Sequence, residues 1–102
     1  MLAPPTMPTF DALVRFLREY DKLTDAERDA FAVARRKFVA DLRAGKGFRA
    51  GLRVKRVQGA EDTFEMTWAP DGRAFFRYGD EVRPGDPHII WLRIGTHDIF
   101  DQ

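Results

Sequence analysis

Few side chains in this sequence can move a proton or grip an anion from a fixed position, and the clearest of them lie in its C-terminal part. His97, one of two histidines, follows Gly95-Thr96 at the end of an apolar run, and its ring titrates near neutrality, as proton transfer requires. Arg73 and Arg77 stand on the segment before it, and a planar guanidinium can clamp phosphate oxygens through paired donors. A histidine beside two arginines on neighbouring strands makes a phosphate-handling site. Arg73 also has a structural reading, as a partner of Asp71 or Glu65. Glu65 is either a general base or the cross-strand partner of Arg53 or Arg77. His88 follows Pro87 at a strand start and reads as solvated and structural, and two histidines alone make a weak case for a metal site. Gly45-Lys46-Gly47 lacks the spacing and the Ser/Thr of a nucleotide loop.

Charge is unevenly distributed. The net charge is +1, but residues 45–57 hold Lys46, Arg49, Arg53, Lys55 and Arg56 with no acid among them. From Gly79 onward acids prevail, with Asp80, Glu81, Asp86, Asp98 and Asp101 against Arg83 and Arg93. The basic stretch reads equally as a solvated edge or as a surface for a polyanion.

These residues need a frame, and the hydrophobic pattern supplies one. Residues 1–8 hold three prolines and no periodicity, so they read as an irregular arm. Residues 9–102 read as a single domain. Phe10, Leu13, Val14, Leu17 and Tyr20 recur at helical spacing, predicting a helix from Thr9 to about Leu23. Thr24 and Glu27 have capping-box spacing and open a second helix, whose apolar face is Phe31, Val33, Ala34, Phe38, Val39 and Leu42, and which Gly45 and Gly47 can end. A link this short predicts an antiparallel hairpin of helices. After Gly51 the period falls to two. Strands are predicted over Leu52–Val57, Thr63–Trp68, Arg73–Tyr78 and His88–Ile94, with Pro70-Asp71-Gly72 as the tight turn between the middle pair. The last is the most apolar, as a strand covered on both faces should be. Trp68 and Trp91 lie on apolar faces and read as core anchors. The fold class expected is α+β, with an N-terminal helical hairpin packed on a four-stranded, mainly antiparallel sheet.

Composition agrees with one folded unit. At 102 residues and 44% hydrophobic, the chain can bury one core. No cysteine is present, which excludes disulfides and thiolate chemistry. No apolar run reaches the length of a membrane span, and the start MLAPPTMPTF lacks a basic region followed by an apolar stretch, so a cytoplasmic protein is expected.

In the order of its elements the chain resembles the RelE/ParE superfamily of toxins from type II toxin-antitoxin pairs. The resemblance covers residues 9 to 100. It is carried by the hairpin FLREYDKLTDAERDAFAVARRKFVADL, the basic strand ending at Gln58-Gly59, Phe64-Glu65-Met66, Arg73 opening the next strand, and the terminal Ile94-Gly95-Thr96-His97-Asp98. It implies a RelE-like fold, with either translation-associated, metal-independent cleavage of messenger RNA or, as the alternative, ParE-like inhibition of gyrase or mere binding of a partner protein. RNA cleavage of this kind is attack of a 2′-hydroxyl on the adjacent phosphate, which needs a base, charge stabilisation and an acid. The resemblance matches Arg73 and His97 to catalytic positions and Lys55 to a phosphate contact; Glu65 joins the catalytic candidates as a general base, and Arg49, Arg53, Arg56, Arg77 and Phe100 are the further candidates for RNA binding. Phe100 stands near the place of a family tyrosine and can stack on a base without moving a proton. Glu65 and Thr67 stand where some members have lysines. The family's N-terminal strand is expected to be missing or reduced to the Pro-rich arm. The partners implied are a cognate antitoxin, messenger RNA and the ribosome, with no cofactor, metal or membrane.

Overall fold

A computed structural model describes residues 6–96. Its element order is β1 (Thr9–Ala12), α1 (Val14–Asp21), α2 (Asp25–Ala44), a 3-10 turn (Ala50–Leu52), β2 (Lys55–Arg56), β3 (Phe64–Ala69), β4 (Gly72–Gly79) and β5 (His88–Gly95). The strands form one sheet in the order β1-β5-β4-β3-β2. The pair β1/β5 is parallel and the others are antiparallel, so the sheet is mixed and five-stranded rather than four-stranded. Among the described residues, no helix is long and apolar enough to cross a membrane.

The first helix is shorter than its periodicity predicts. Thr9–Ala12 leaves the helical pattern and lies along β5, with the Thr9 amide donating to Pro87 O (3.0 Å) and the Leu13 amide to Trp91 O (3.0 Å). A parallel strand needs only an open row of backbone groups beside it, and the edge of β5 provides that row. The N-terminal strand expected to be missing or reduced to the Pro-rich arm is thus present, just after that arm. Leu13 caps α1 without a side-chain hydrogen bond, so the helix starts where the chain leaves β5 rather than at a local signal.

The second helix follows its local signals. The Thr24 hydroxyl accepts from the Glu27 amide (3.1 Å) and the Glu27 carboxylate accepts from the Thr24 amide (2.8 Å). Gly45 ends the helix at φ 69°, a left-handed conformation that glycine adopts without a Cβ penalty. Phe31, Ala34, Phe38 and Leu42 are its buried stripe. They meet Phe16 of α1 and the inner face of the sheet, with ring centroids at 4.9 Å for Phe38–Phe76, 5.2 Å for Phe38–Trp91 and 6.1 Å for Phe16–Phe31. Trp68 and Trp91 are core residues, as their apolar faces predict.

The expected strand over Leu52–Val57 is reduced to two residues. Leu52 is buried in the 3-10 turn, and Arg53 closes that turn at φ 48°, which breaks the extended run before Lys55. β5 is an interior strand, but β4 takes the middle of the sheet.

His88 is a correction of a different kind. It is 9% exposed rather than solvated, with Nδ1 2.7 Å from Thr9 Oγ1 and Nε2 3.9 Å from an Asp11 carboxylate oxygen. Its burial depends on β1, which local periodicity did not place.

Candidate nucleic-acid interface

Both helices lie on one face of the sheet. Among the described residues no element covers the other face. Alternation along the strands and the cross-strand register decide which side chains reach it. One row runs Lys55–Glu65–Phe75–Arg93 from β2 to β5, and the next holds Thr67, Arg73 and Gly95. Arg77 stands two residues beyond Phe75, opposite Ile90. Among the described residues this face is largely polar, with Phe75 near its middle.

Arg73 is held by the hairpin that precedes it. Its Nη1 donates to the carbonyls of Gly72 (2.9 Å), Ala69 (3.2 Å) and Pro70 (3.3 Å), so neither Asp71 nor Glu65 is its partner. Three carbonyls on one nitrogen fix the fork against the turn and leave Nε and Nη2 for an anion. Glu65 is 9% exposed and faces Lys55 Nζ at 3.4 Å. Its partner is thus Lys55, not Arg53 or Arg77, and the pair cancels in net charge. Arg77 is exposed and carries no ion pair among the described residues.

The remaining basic residues are dispersed. Arg56 follows Lys55 in a strand and so points to the opposite face, where its guanidinium carbon lies 5.2 Å from the Phe64 ring centroid. Arg49 is clasped by Asp41: Nη2 donates to Oδ1 at 2.9 Å, Nε to Oδ2 at 3.0 Å and the backbone amide to Oδ2 at 2.9 Å. Chiefly the side-chain hydrogen bond from Arg49, then the backbone one, hold the Asp41 carboxyl below its ordinary pKa, and the same pairing raises that of Arg49. Arg53 is exposed in the left-handed residue before β2. The structure brings together Lys55, Glu65, Arg73 and Arg77, and leaves Arg49 and Arg56 off this face. His97 and Phe100 lie outside the described residues. Gly95, two residues before His97, is the register partner of Arg73. Among the described residues no group of three His, Cys, Asp or Glu side chains could hold a metal ion.

Phe75 was not among the residues singled out from sequence. The signal for it was present, since Phe75 and Phe76 are adjacent in a strand and only one of them can enter the core.

No family model matches the chain, and no curated protein matches its sequence. Solved structures do match its fold. The E. coli DinJ-YafQ complex contains a chain with a TM-score of 0.66 at 11% identity, covering 94% of this chain and 100% of that one. The RelB-RelE antitoxin-toxin complex from Methanococcus jannaschii gives 0.59 at 12%, covering 89% and 95%. The YoeB/ParE toxin from Agrobacterium tumefaciens gives 0.63 at 11%, covering 87% and 98%. These likenesses span nearly the whole of each chain, at identities where only architecture is shared. The chain has the fold of the RelE-, YafQ- and ParE-type toxins of toxin-antitoxin systems.

Proposed function

We propose that this chain is a RelE-like toxin that cleaves messenger RNA in the cytoplasm and is neutralised by a cognate antitoxin protein. The observation that carries this reading is the pairing of Arg73 with Gly95 on the face of a toxin-like sheet opposite the helical core. It sets a fixed guanidinium opposite the strand end that leads, two residues on, to His97. Cleavage by a 2′-hydroxyl on its neighbouring phosphate needs proton transfer and a cation for the phosphorane. His97 is suited to the first and the free donors of Arg73 to the second. Glu65 is the acid nearest in register to these groups, two residues along β3 from Thr67, the partner of Arg73. Its ion pair with Lys55 orients it while holding back its charge.

A protein partner is supported by a second feature. Between β1, α1 and α2 lies an open groove of about 650 Å³ lined by Phe10, Phe16, Leu17, Tyr20, Phe31 and Val39 among others. Phe10 is 40% exposed and Leu17 51%, an apolar surface of the kind that marks a protein contact. Several fold neighbours were solved as toxin-antitoxin complexes.

Induced expression in a bacterial host tests the reading. Growth and translation should stop, transcripts should acquire new 5′ ends within coding regions, and the double variant Arg73→Ala/His97→Ala should abolish both effects. Growth arrest that persists in the double variant refutes the site assignment. Arrest without transcript cleavage, accompanied by loss of supercoiling in a purified gyrase assay, selects the ParE-like alternative instead.

A further inference from the structure

We infer that the outer edge of β1 pairs antiparallel with the same edge of a second copy of this chain, across a two-fold axis at Phe10, so that two five-stranded sheets become one continuous sheet. Consecutive residues of a strand turn their backbone groups to opposite sides. The amides of Thr9 and Leu13 donate to Pro87 and Trp91 carbonyls on the β5 side, so the odd-numbered residues serve the existing ladder. Phe10 and Ala12 therefore turn N–H and C=O outward. The Pro8 carbonyl points away from the Thr9 amide across a trans peptide, and so faces outward as well. β1 ends the strand order, and among the described residues no strand lies beyond it. An open row of this kind is a template for another strand.

The surface beside that row is apolar. Met7, Phe10, Leu13, Val14 and Leu17 are five of the eight exposed large hydrophobic side chains among the described residues, and such a concentration marks a protein contact. The edge is also complementary to itself in one register. With Phe10 opposite Phe10 of the second copy, that pair exchanges both of its backbone hydrogen bonds, and each Ala12 amide donates to the Pro8 carbonyl of the other copy. Pro8 has no amide to return, so the ladder stops there. Leu13 then faces Met7 of the second copy, apolar against apolar, and Asp11 faces Thr9. Centred on Asp11 instead, the pairing would set two exposed carboxylates directly opposite each other, a destabilising arrangement. A two-fold axis at Phe10 thus gives both copies the same contacts and separates the acids, which favours a second copy over an unrelated strand.

The chain has no cysteine, so single cysteines report the register directly. The test uses the full chain carrying His97→Ala, to limit harm to the producing host. In sedimentation velocity its mass should rise with concentration toward twice that of one chain. Phe10→Cys should form a disulfide between copies on mild oxidation, because opposed residues of a hydrogen-bonded pair have Cα atoms about 5.5 Å apart. Asp11→Cys should not, since its two copies are offset by two residues, about 7 Å along the strand, in addition to the strand spacing. Ala12→Pro removes an outward amide from each copy and leaves the β1/β5 ladder intact, so it should raise the dimer dissociation constant roughly ten- to a hundredfold with an unchanged circular dichroism spectrum. Cross-linking of Asp11→Cys with none of Phe10→Cys, or a dimer that Ala12→Pro leaves as tight as the parent, would overturn the pairing. So would a parent that stays monomeric at its highest soluble concentration and whose Phe10 and Ala12 amides gain exchange protection only when a different protein binds. The pairing is independent of RNA cleavage, so growth arrest by a monomeric chain would overturn it and leave the toxin reading standing.

Discussion

Gly72 carries a sharp test of how the hairpin that holds Arg73 is packed. A Cβ on Gly72 would lie 2.6 Å from Cδ2 and Cε2 of Trp68 and 2.8 Å from Cε3. Carbon atoms in contact prefer about 3.5–4.0 Å, so Gly72→Ala forces the indole to move by roughly 1 Å. Trp68 is 7% exposed and lies edge-on to Phe31 at 6.4 Å, so the ring has little space to yield. Overpacking of this kind costs about 1–3 kcal/mol, from which the reduced freedom of the unfolded chain returns about 0.4–1. The net loss expected for Gly72→Ala is about 1–2 kcal/mol. Trp68→Leu removes the ring atoms that clash. In that background the same alanine should be neutral or slightly stabilising, a coupling of roughly 1–3 kcal/mol. Urea unfolding of the four proteins in the cycle measures it directly. If Gly72→Ala costs the same in both backgrounds within about 0.5 kcal/mol, the two sites are independent. The close approach of Gly72 to the indole would then not be the reason for a glycine at this position.

Two further perturbations address the tie between α1 and the sheet, and the acid stability of the helix end. Glu19 accepts from Arg93 Nη2 at 2.7 Å and from the Ile94 amide at 3.2 Å, both partly buried, so Glu19→Ala should cost about 2–3 kcal/mol in chemical denaturation and Glu19→Gln less, since it keeps one acceptor oxygen; equal losses for the two would show that charge alone matters. Asp41 has a folded pKa below its ordinary 3.8, so its pair with Arg49 stabilises the fold above that pH and the contribution disappears as pH falls through the lower, folded value. The stability difference between the parent and Asp41→Asn should therefore shrink on acidification below about pH 4, and a difference that stays constant down to about pH 2 refutes the pairing as a source of stability.

Where structure could be read from sequence, the determinants were local. Thr24, Glu27 and Gly45 mark the ends of α2 within a turn or two, and Phe31, Phe38 and Leu42 mark its buried stripe. Phe64–Ala69 and Gly72–Gly79 follow from alternation and the Pro70-Asp71-Gly72 turn. The misread elements have distant determinants. Thr9–Ala12 fits a helical period, but its backbone is captured by β5 from the far end of the chain, and the burial of His88 follows from that capture. Arg53 adopts a left-handed conformation to close a turn anchored by the burial of Leu52, a tertiary demand that propensity does not signal.

The site divides along the same line, with one instructive exception. That Lys55, Glu65, Arg73 and Arg77 share a face needs both alternation and register, and register is set by hydrogen bonds between strands. The carbonyl clasp on Arg73 needs the geometry of its turn. Separating Lys55 from Arg56 needs neither, because consecutive residues of one strand point to opposite faces. Lys55 lies on the side opposite the helices with Glu65, while Arg56 rests against Phe64 on the other. The same parity separates Phe75 from Phe76. A basic run counted by its charges merges two surfaces, whereas the run taken with its period of two already separates a residue that can meet a substrate on the open face from one that cannot.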